Sequence, residues 1–295
     1  MEPYILLLIA TVSFGGNVVA GQMAKGEISP LLLTFLRWVT VAGFLLAFNG
    51  RRLLAAWPLL QPRLGLLIAM AVCGFTTFNS LFYVAAYHTT GVNIGILQGT
   101  IPALVLVGAL IAYRTPVRPL QIIGTVVTMV GVVVVTTGGE LARLASLALN
   151  PGDLIMLLAC LFYSGYAVSL KRKPQVPALV FFTVLAVIAA VSMAPVAAFE
   201  YLSGDTVWPS WQGWLVLLYV AFFPSFLSQV FLIRGVELIG PGRASLFFNF
   251  VPVFAALLSV LLLGEVFQLY PAIALALVLF GVGLAESRGR KAGNG

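Results

Sequence analysis

The chain has 295 residues, of which 61% are hydrophobic and only 8% are charged, and its formal net charge is +7. The mean hydropathy is +1.08, which excludes a soluble domain with an ordinary charged surface. The apolar runs are also too long and continuous for outer-membrane strands, which alternate over about ten residues. The composition therefore predicts an all-α membrane protein that crosses the bilayer several times.

The apolar runs in chain order predict ten membrane-spanning helices. A hydrocarbon core about 30 Å thick needs about 20 apolar residues per crossing, so the chain has no room for a separate soluble domain. The first run lacks the basic segment and cleavage site of a signal peptide, and we interpret it as a retained helix. The predicted spans are 4–24, 30–48, 64–87, 92–113, 120–137, 153–170, 178–198, 213–233, 243–263 and 268–286.

The basic residues predict the orientation of these spans. Of the 16 Lys and Arg residues, all but Lys25, Arg37 and Arg143 fall in loops or in the tail on one side of the predicted arrangement. Lys and Arg in short loops mark the cytoplasmic side, so both termini are predicted to be cytoplasmic. Because the basic residues are spread over many loops and do not form one basic face, no nucleic-acid partner is expected.

An internal repeat divides the chain into two halves. Thr89–Val105 aligns with Ile239–Ala255, which places Pro102 on Pro252, and Phe14–Gly16 aligns with Tyr163–Gly165. The pattern predicts a five-helix unit at 1–138, a linker at 139–152, and a second five-helix unit with a short basic tail at 153–295. Because five is odd, the second unit enters the membrane from the opposite side, and the two units form an inverted repeat around a central cavity, as in many transporters.

These features resemble the drug/metabolite transporter superfamily in its ten-helix EamA-type branch, and within it the YddG-type amino-acid exporters. The resemblance rests on the aromatic-glycine segments of helices 1 and 6, the small-residue runs before Pro102 and Pro252, and LLLGE at 261–265. It implies a secondary transporter of the bacterial inner membrane that exports small metabolites, amino acids above all, as a monomer or weak dimer. An intramembrane enzyme would need a nucleophile with a base, or a set of metal ligands, within the spans. With one histidine at a span end and no deep carboxylate, we expect no enzymatic activity, no metal and no cofactor. The first half has IAYRT at 111–115 instead of LLLGE, so the family's glutamate is present only once.

The glycines of the fourth predicted span favour close helix packing. Gly91, Gly95 and Gly99 are four residues apart and share one helix face, where small side chains let a second helix approach. Two interpretations remain open for the amides of Gln98 and Asn249 on the paired helices 4 and 9. They either line a substrate cavity or serve only as hydrogen-bond partners between helices.

Other polar side chains within the spans are expected to face the interior of the bundle, because an unpaired polar group is costly in hydrocarbon. Helices 5 and 10 carry almost none and are predicted to be peripheral. The candidate substrate-binding residues are Asn17, Arg37, Asn79, Tyr83, Gln98, Tyr163, Tyr166, Gln229 and Asn249.

Arg37 is the one basic residue well inside a span, about 10 Å from the start of its helix. A buried arginine is costly and often functional. Two interpretations fit it: an anchor for a substrate carboxylate, or a structural residue that extends to the interface.

The acidic residues bear on coupling and on the class of substrate. All nine lie near predicted span ends or in loops, whereas a proton-coupled exchanger usually needs a buried titratable relay. Facilitated export is therefore the simplest expectation. The alternative is efflux of drug-like or quaternary-ammonium cations, which would favour a buried glutamate opposite aromatic rings.

Overall fold

The computed structural model describes residues 2–114, 117–140, 149–239, 245–266 and 268–286. Within these ranges the regular structure is helical and contains no strand. Several sequence predictions lie outside the described residues: most of the linker at 139–152, the start of the ninth span, Thr115 and the basic tail beyond 286.

Except for α2, the helices of the first half begin and end close to the predicted limits. The third predicted span is interrupted between α3 and α4, and the fourth is interrupted between α5 and α6. They are α1 (Glu2–Met23), α2 (Pro30–Leu60), α3 (Leu64–Ala71), α4 (Phe78–His88), α5 (Gly91–Gln98), α6 (Ile101–Tyr113) and α7 (Pro119–Thr136). A π-helical segment, Val72–Thr77, joins α3 to α4. A short 3₁₀ turn lies at Gln61–Arg63 in this half, and another lies at Leu170–Arg172 in the second half.

The helices of the second half follow the same order. They are α8 (Pro151–Ser169), α9 (Ala178–Leu202), α10 (Trp211–Val220), α11 (Ser228–Ile239), α12 (Val251–Leu263) and α13 (Leu269–Glu286). A second π-helical segment, Ala221–Leu227, joins α10 to α11, and a 3₁₀ segment, Ser245–Phe250, precedes α12.

Helix α2 is longer than predicted. The sequence placed its end at 48, before Asn49 and Gly50, whereas the helix continues to Leu60. Asn49 does not end the helix because its side chain is buried and donates to Thr183 Oγ1 of α9 at 3.0 Å. The second helix therefore carries Arg51 and Arg52 on its extension.

The two prolines of the repeat start new helices. Pro102 lies in the first turn of α6 and Pro252 in the first turn of α12. Proline fits the first turn of a helix because the missing N–H would be unpaired there in any case. The fourth and ninth predicted spans are thus each divided into two helical pieces. Gln98 ends the first piece of the fourth span, and Asn249 lies in the 3₁₀ segment of the ninth.

Within the described residues, seven helical stretches are long and apolar enough to cross a membrane, and one of them, Pro30–His88, has 59 residues. A single crossing takes about 20 residues, so this stretch exceeds one crossing. Two shorter apolar helices, Phe247–Leu263 and Leu269–Ala285, follow in the second half. The protein is an all-helical, multi-pass membrane protein.

Glycine faces pack the helices closely, as the spacing in the fourth span predicted. A Cβ atom on Gly95 would lie 2.5 Å from Ala255 Cβ of α12, and one on Gly99 would lie 2.4 Å from Val278 Cγ1 of α13. Helices α7 and α13 pack mainly against each other, and a Cβ on Gly124 would lie 2.3 Å from the Gly281 carbonyl oxygen. These distances leave no room for a larger residue.

Candidate functional site

Arg37 lies at the centre of a buried polar cluster and is only 5% exposed. Its Nε donates to Ser225 Oγ at 2.7 Å. Its Nη1 faces three acceptors: Tyr83 Oη at 2.7 Å, Asn79 Oδ1 at 2.8 Å and, more distantly, Asn17 Oδ1 at 3.4 Å. Asn17, Asn79 and Tyr83, three of the predicted site residues, therefore all contact Arg37, which is a fourth.

The partners of Arg37 are themselves held in place by further hydrogen bonds. Asn79 Nδ2 donates to the Phe75 carbonyl at 2.7 Å, which turns its Oδ1 toward the guanidinium. Tyr83 Oη donates to Asn17 Oδ1 at 3.0 Å. Asn79 and Tyr83 are one turn apart on α4, so they present their oxygens from one face of that helix.

Ser225 reaches Arg37 from a π-helical segment, and Pro224 explains that geometry. A proline inside a helix has no N–H to donate and its ring crowds the preceding turn. Ser225 Oγ donates to the Val220 carbonyl at 2.5 Å, and Ser228 Oγ does the same to Phe223 at 2.8 Å. Both bonds satisfy carbonyls around the interruption, and Ser225 keeps a lone pair for the arginine.

The cluster is electrostatically incomplete. Every hydrogen-bond partner of Arg37 among the described residues is neutral, and Nη2 donates to none of them. The guanidinium lies 5.2 Å from the centre of the Trp38 ring, and Trp38 Nε1 is a buried donor without an acceptor. A buried cation is normally compensated by a nearby anion. Arg37 Nη2 and Trp38 Nε1, in contrast, have no negatively charged partner among the described residues.

Aromatic rings form a wall beside the cluster. Phe75 packs edge-on against Trp38 at 4.9 Å and against Tyr166 at 5.3 Å. Tyr163 lies 5.5 Å from Tyr166 and 4.8 Å from Phe78. The predicted pair Tyr163 and Tyr166 therefore adjoins the arginine cluster through rings and makes no hydrogen bond to it.

The remaining predicted residues lie elsewhere. Gln98 is half-buried and its Nε2 has no partner, which leaves it a donor to spare near the end of α5. Gln229 is half-buried one turn beyond Ser225, and Asn249 is half-buried in the 3₁₀ segment before α12. Arg37 bonds to none of the three.

A second polar region at the opposite end from Arg52 was not expected from the sequence. Glu265 accepts from the backbone N–H groups of Gly91 and Val92 at 2.7 and 2.9 Å, at the start of α5. Glu200 accepts from Ser29 Oγ at 2.7 Å and from the N–H of Leu32 at 2.9 Å, at the start of α2. Both carboxylates complete helix N-termini, where N–H groups lack intrahelical partners.

Two more acids belong to the same end. Asp153, only 1% exposed, accepts from Thr89 Oγ1 and from Asn93 Nδ2. Glu27 accepts from Ser210 Oγ. Together with Glu200 and Glu265 they form what we call the acid caps. Each of these four carboxylates accepts a hydrogen bond that links the first half of the chain, before residue 138, to the second half, after residue 150.

Lys25 lies beside the acid caps, in the turn between α1 and α2. Burial lowers the pKa of its ammonium group, and the negative charge of Glu265 opposes part of that shift. The sequence showed these acids as residues near helix ends, where a solvated position is the ordinary outcome. Asp153 and Glu200 are buried and Glu27 and Glu265 are half-buried, because other parts of the chain cover these ends, which helix periodicity does not reveal.

A polytopic helical bundle with a buried polar centre is typical of membrane carriers and channels, and comparison with known families distinguishes between these classes. The model of the EamA-like transporter family matches residues 1–137 and 150–286. The chain belongs to the EamA-like transporter family. The family assignment from the sequence is thereby confirmed, and the relatives are named as transporters and not as enzymes.

Three relatives illustrate the match. The uncharacterized transporter YyaM of Bacillus subtilis (strain 168) is 30% identical over 73% of this chain and 70% of its own length. The uncharacterized transporter YetK of the same strain is 25% identical over 96% of this chain and 86% of its own. The uncharacterized inner membrane transporter YedA of Escherichia coli (strain K12) is 26% identical over 86% and 80%.

The fold is shared with a solved crystal structure. The two chains superpose with a TM-score of 0.63 at 20% identity, over 98% of each chain.

Proposed function

We propose that this transporter exports small carboxylate-bearing metabolites, in particular amino acids, from the cytoplasm by alternating access. The observation that carries the proposal is Arg37, a buried arginine whose described hydrogen-bond partners are all neutral and whose Nη2 is unused. A substrate carboxylate would supply the missing negative charge through charge-assisted hydrogen bonds.

The surrounding groups suit the rest of an amino acid. The unpaired Nε1 of Trp38 offers a second donor near the same position. The neutral oxygens of Asn17, Asn79 and Tyr83 hold the guanidinium without cancelling its charge. The aromatic wall at Phe75 and Tyr166 offers an apolar surface for a side chain. Asn17, Arg37, Asn79, Tyr83, Tyr163 and Tyr166 form the proposed site, with Gln98, Gln229 and Asn249 at its margins.

Efflux of cations is the less favoured function. A cation site needs a buried acid opposite aromatic rings. The buried charge in this cluster is positive, and the described acids that are buried lie in the acid caps at the end of the bundle. A cationic substrate at the cluster would be repelled by Arg37.

We also propose ten spans arranged as two inverted five-helix units. Two features support it besides the two matched stretches of equal length. The π-helical segments Val72–Thr77 and Ala221–Leu227 occupy corresponding places in the two units. Arg114 and Gly264 correspond as well, and both end their helices with positive φ, 50° and 66°. In this proposal both termini lie in the cytoplasm of a bacterium and the protein lies in its inner membrane, which the excess of Lys and Arg in the loops on one side supports.

Transport of this kind is facilitative in our proposal. The polar centre holds a permanently charged arginine and no described acid, so the site itself offers no proton relay. Export then follows the concentration gradient of the substrate, and a pH gradient is not required.

Counterflow into proteoliposomes tests the proposal. Vesicles preloaded with unlabelled substrate are exposed to a panel of labelled amino acids and cationic dyes without a pH gradient. We expect exchange of amino acids, and dyes that do not exchange. Exchange of dyes alone would show that the carboxylate assignment is wrong.

Two substitutions of Arg37 refine the test. Arg37→Met should lower the apparent affinity roughly 10- to 100-fold, since a hydrogen bond to a charged partner contributes about 1.5–3 kcal/mol. Arg37→Lys keeps the charge without the planar fork and should retain part of the affinity. Thermal melts of both purified variants separate lost binding from lost folding. Equal transport by wild type and Arg37→Met in stable protein would remove Arg37 from the site.

A further inference from the structure

A cavity of about 370 Å³ lies between α2, α9 and the second π-helical segment, outside the arginine cluster. It is on the side of the bundle that carries Arg52 and that the loop charges assign to the cytoplasm. Its volume is within the range of small-molecule sites. The residues that matter to the argument are Phe44, Phe48, Asn49, Arg52, Leu179 and Phe226.

The cavity and the arginine cluster share one face of α2. Positions 37, 41, 44 and 48 are three or four residues apart, so their side chains form one stripe along the helix. Arg37 and Val41 are buried, whereas Phe44 is 41% and Phe48 is 77% exposed. The side chains of this stripe are therefore buried near Arg37 and exposed near the cavity.

Phe44 and Phe226 line the end of the cavity that is nearer to Arg37 along α2. The rings of Phe44 and Phe226 meet edge-to-face, with centroids 4.8 Å apart. Phe226 directly follows Ser225, the residue that accepts from Arg37 Nε. A path from the cavity to Arg37 along α2 would pass this pair and then the buried Val41.

The cavity offers one group of each kind that a zwitterion requires. Asn49 Nδ2 donates to Thr183 Oγ1, and no described residue donates to its Oδ1, so that oxygen is available to an ammonium group. Arg52 lies three residues further along α2 and lines the same cavity, so its guanidinium can meet a carboxylate. The phenylalanines and Leu179 supply the apolar remainder of the wall.

We propose that this cavity is a cytoplasmic loading site for one zwitterionic amino acid with an apolar side chain. Arg52 holds the carboxylate and Asn49 Oδ1 the ammonium group, and the side chain packs between Phe48 and Leu179. The substrate passes the Phe44–Phe226 pair to reach Arg37. This inference rests on the proposed function. A volume of about 370 Å³ suits one such molecule and is too small for a whole two-chain phospholipid.

Two neighbouring arginines provide a matched test. Arg51 and Arg52 are both exposed, but only Arg52 lines the cavity. Efflux is measured from proteoliposomes loaded with increasing internal leucine, with the orientation of the protein determined. Arg52→Gln should raise the KM for internal substrate roughly two- to fivefold, the range of an exposed ion pair. Arg51→Gln should match the wild type.

A cavity-filling pair provides the second test. Leu179→Trp places an indole in the cavity and should raise the internal KM at least about tenfold by competing for space. Leu202→Trp is its control, because Leu202 is 82% exposed on the same helix. The KM for external substrate should not change in either variant, since the outer side does not load through this cavity. Thermal melts verify that the variants are folded.

The outcomes decide between three cases. An unchanged internal KM in Arg52→Gln or in Leu179→Trp overturns the loading site, as does an equal rise in Arg51→Gln. Native mass spectrometry that finds a phospholipid retained by wild type and lost in Arg52→Gln, with efflux unchanged, assigns the cavity to lipid and also overturns it. Failure of the proposed function is distinct, because wild type itself would then export no leucine or other amino acid.

Discussion

Glu265 caps the helix that begins at Gly91: its two carboxylate oxygens accept from the N–H groups of Gly91 and Val92 at 2.7 and 2.9 Å. The contact joins the end of α12 to the start of α5, so a residue near the end of the chain completes a helix in its first half. The glutamate of the LLLGE sequence thus acts across the boundary between the two matched stretches.

Replacement of Glu265 should destabilise the end of the bundle that carries the acid caps. We expect Glu265→Ala to lower the free energy of unfolding by about 1 kcal/mol, the usual effect of losing a helix N-cap. Glu265→Gln keeps one acceptor oxygen and should lose less. A thermal melt in detergent measures both, with Asp205→Asn in an exposed loop as the control. Melting temperatures that equal the wild type would show that the cap contributes nothing to stability.

The glycine face of α5 leads to a second prediction. Gly95→Leu and Gly99→Leu should abolish folding or transport, because even a Cβ atom at these positions would lie 2.5 Å or less from a neighbouring side chain. Gly43→Leu is the matched control, since nothing lies within 4 Å of a Cβ there. Leu104→Phe should also be tolerated far better. Expression, size-exclusion profile and transport are compared, and normal transport in both α5 variants contradicts the packing.

Gln98 gives a prediction in which binding and stability change separately. Its Nε2 is buried without a partner, so Gln98→Met removes no protein hydrogen bond and should leave the melting temperature close to the wild type or slightly above it. If Gln98 contacts substrate, the apparent affinity should fall roughly five- to a hundredfold. Gln175→Met, in an exposed loop, is the control. An unchanged affinity would leave Gln98 as a packing residue only.

The topology can be tested with single cysteines. In a background without Cys73 and Cys160, which are intermediate and buried, Gln175→Cys and Asp205→Cys each add one exposed thiol. We expect an impermeant maleimide to label Asp205→Cys in intact cells, and to label Gln175→Cys only after the cytoplasmic face is opened. The reverse pattern would invert the orientation, and labelling of both from outside would exclude the ten-span arrangement.

Part of the site followed from the sequence because a polar side chain in an apolar helix must turn inward. That rule predicted that Asn17, Asn79 and Tyr83 face the interior, but it did not predict that they would meet at Arg37. It gave no means of choosing Ser225 over Gln229, because the π-helical segment changes which side chains face the arginine. It also gave no reason to expect an unpaired Trp38 Nε1, since tryptophan counts as apolar in a periodicity argument.

The acid caps were missed for a different reason. Distance from a predicted helix end does not say whether the end is covered by another part of the chain. Asp153 lies two residues into α8 and is nevertheless only 1% exposed, because Thr89 and Asn93 close over it. Contacts of this kind join residues far apart in sequence, and a single sequence without aligned relatives carries no signal for them.

The geometry of the two π-helical segments requires that the number of residues in each segment be kept, whatever side chains these residues carry. A π turn holds one residue more than the α turn it interrupts, so each segment behaves as a one-residue insertion. Deleting a residue from 72–77 would restore a regular helix and rotate everything beyond it by about 100°. Asn79 and Tyr83 would then point away from Arg37, although every atom of both would still be present. Apart from Phe75 and Ser225, which contribute to the site directly, these segments should therefore tolerate replacement better than deletion.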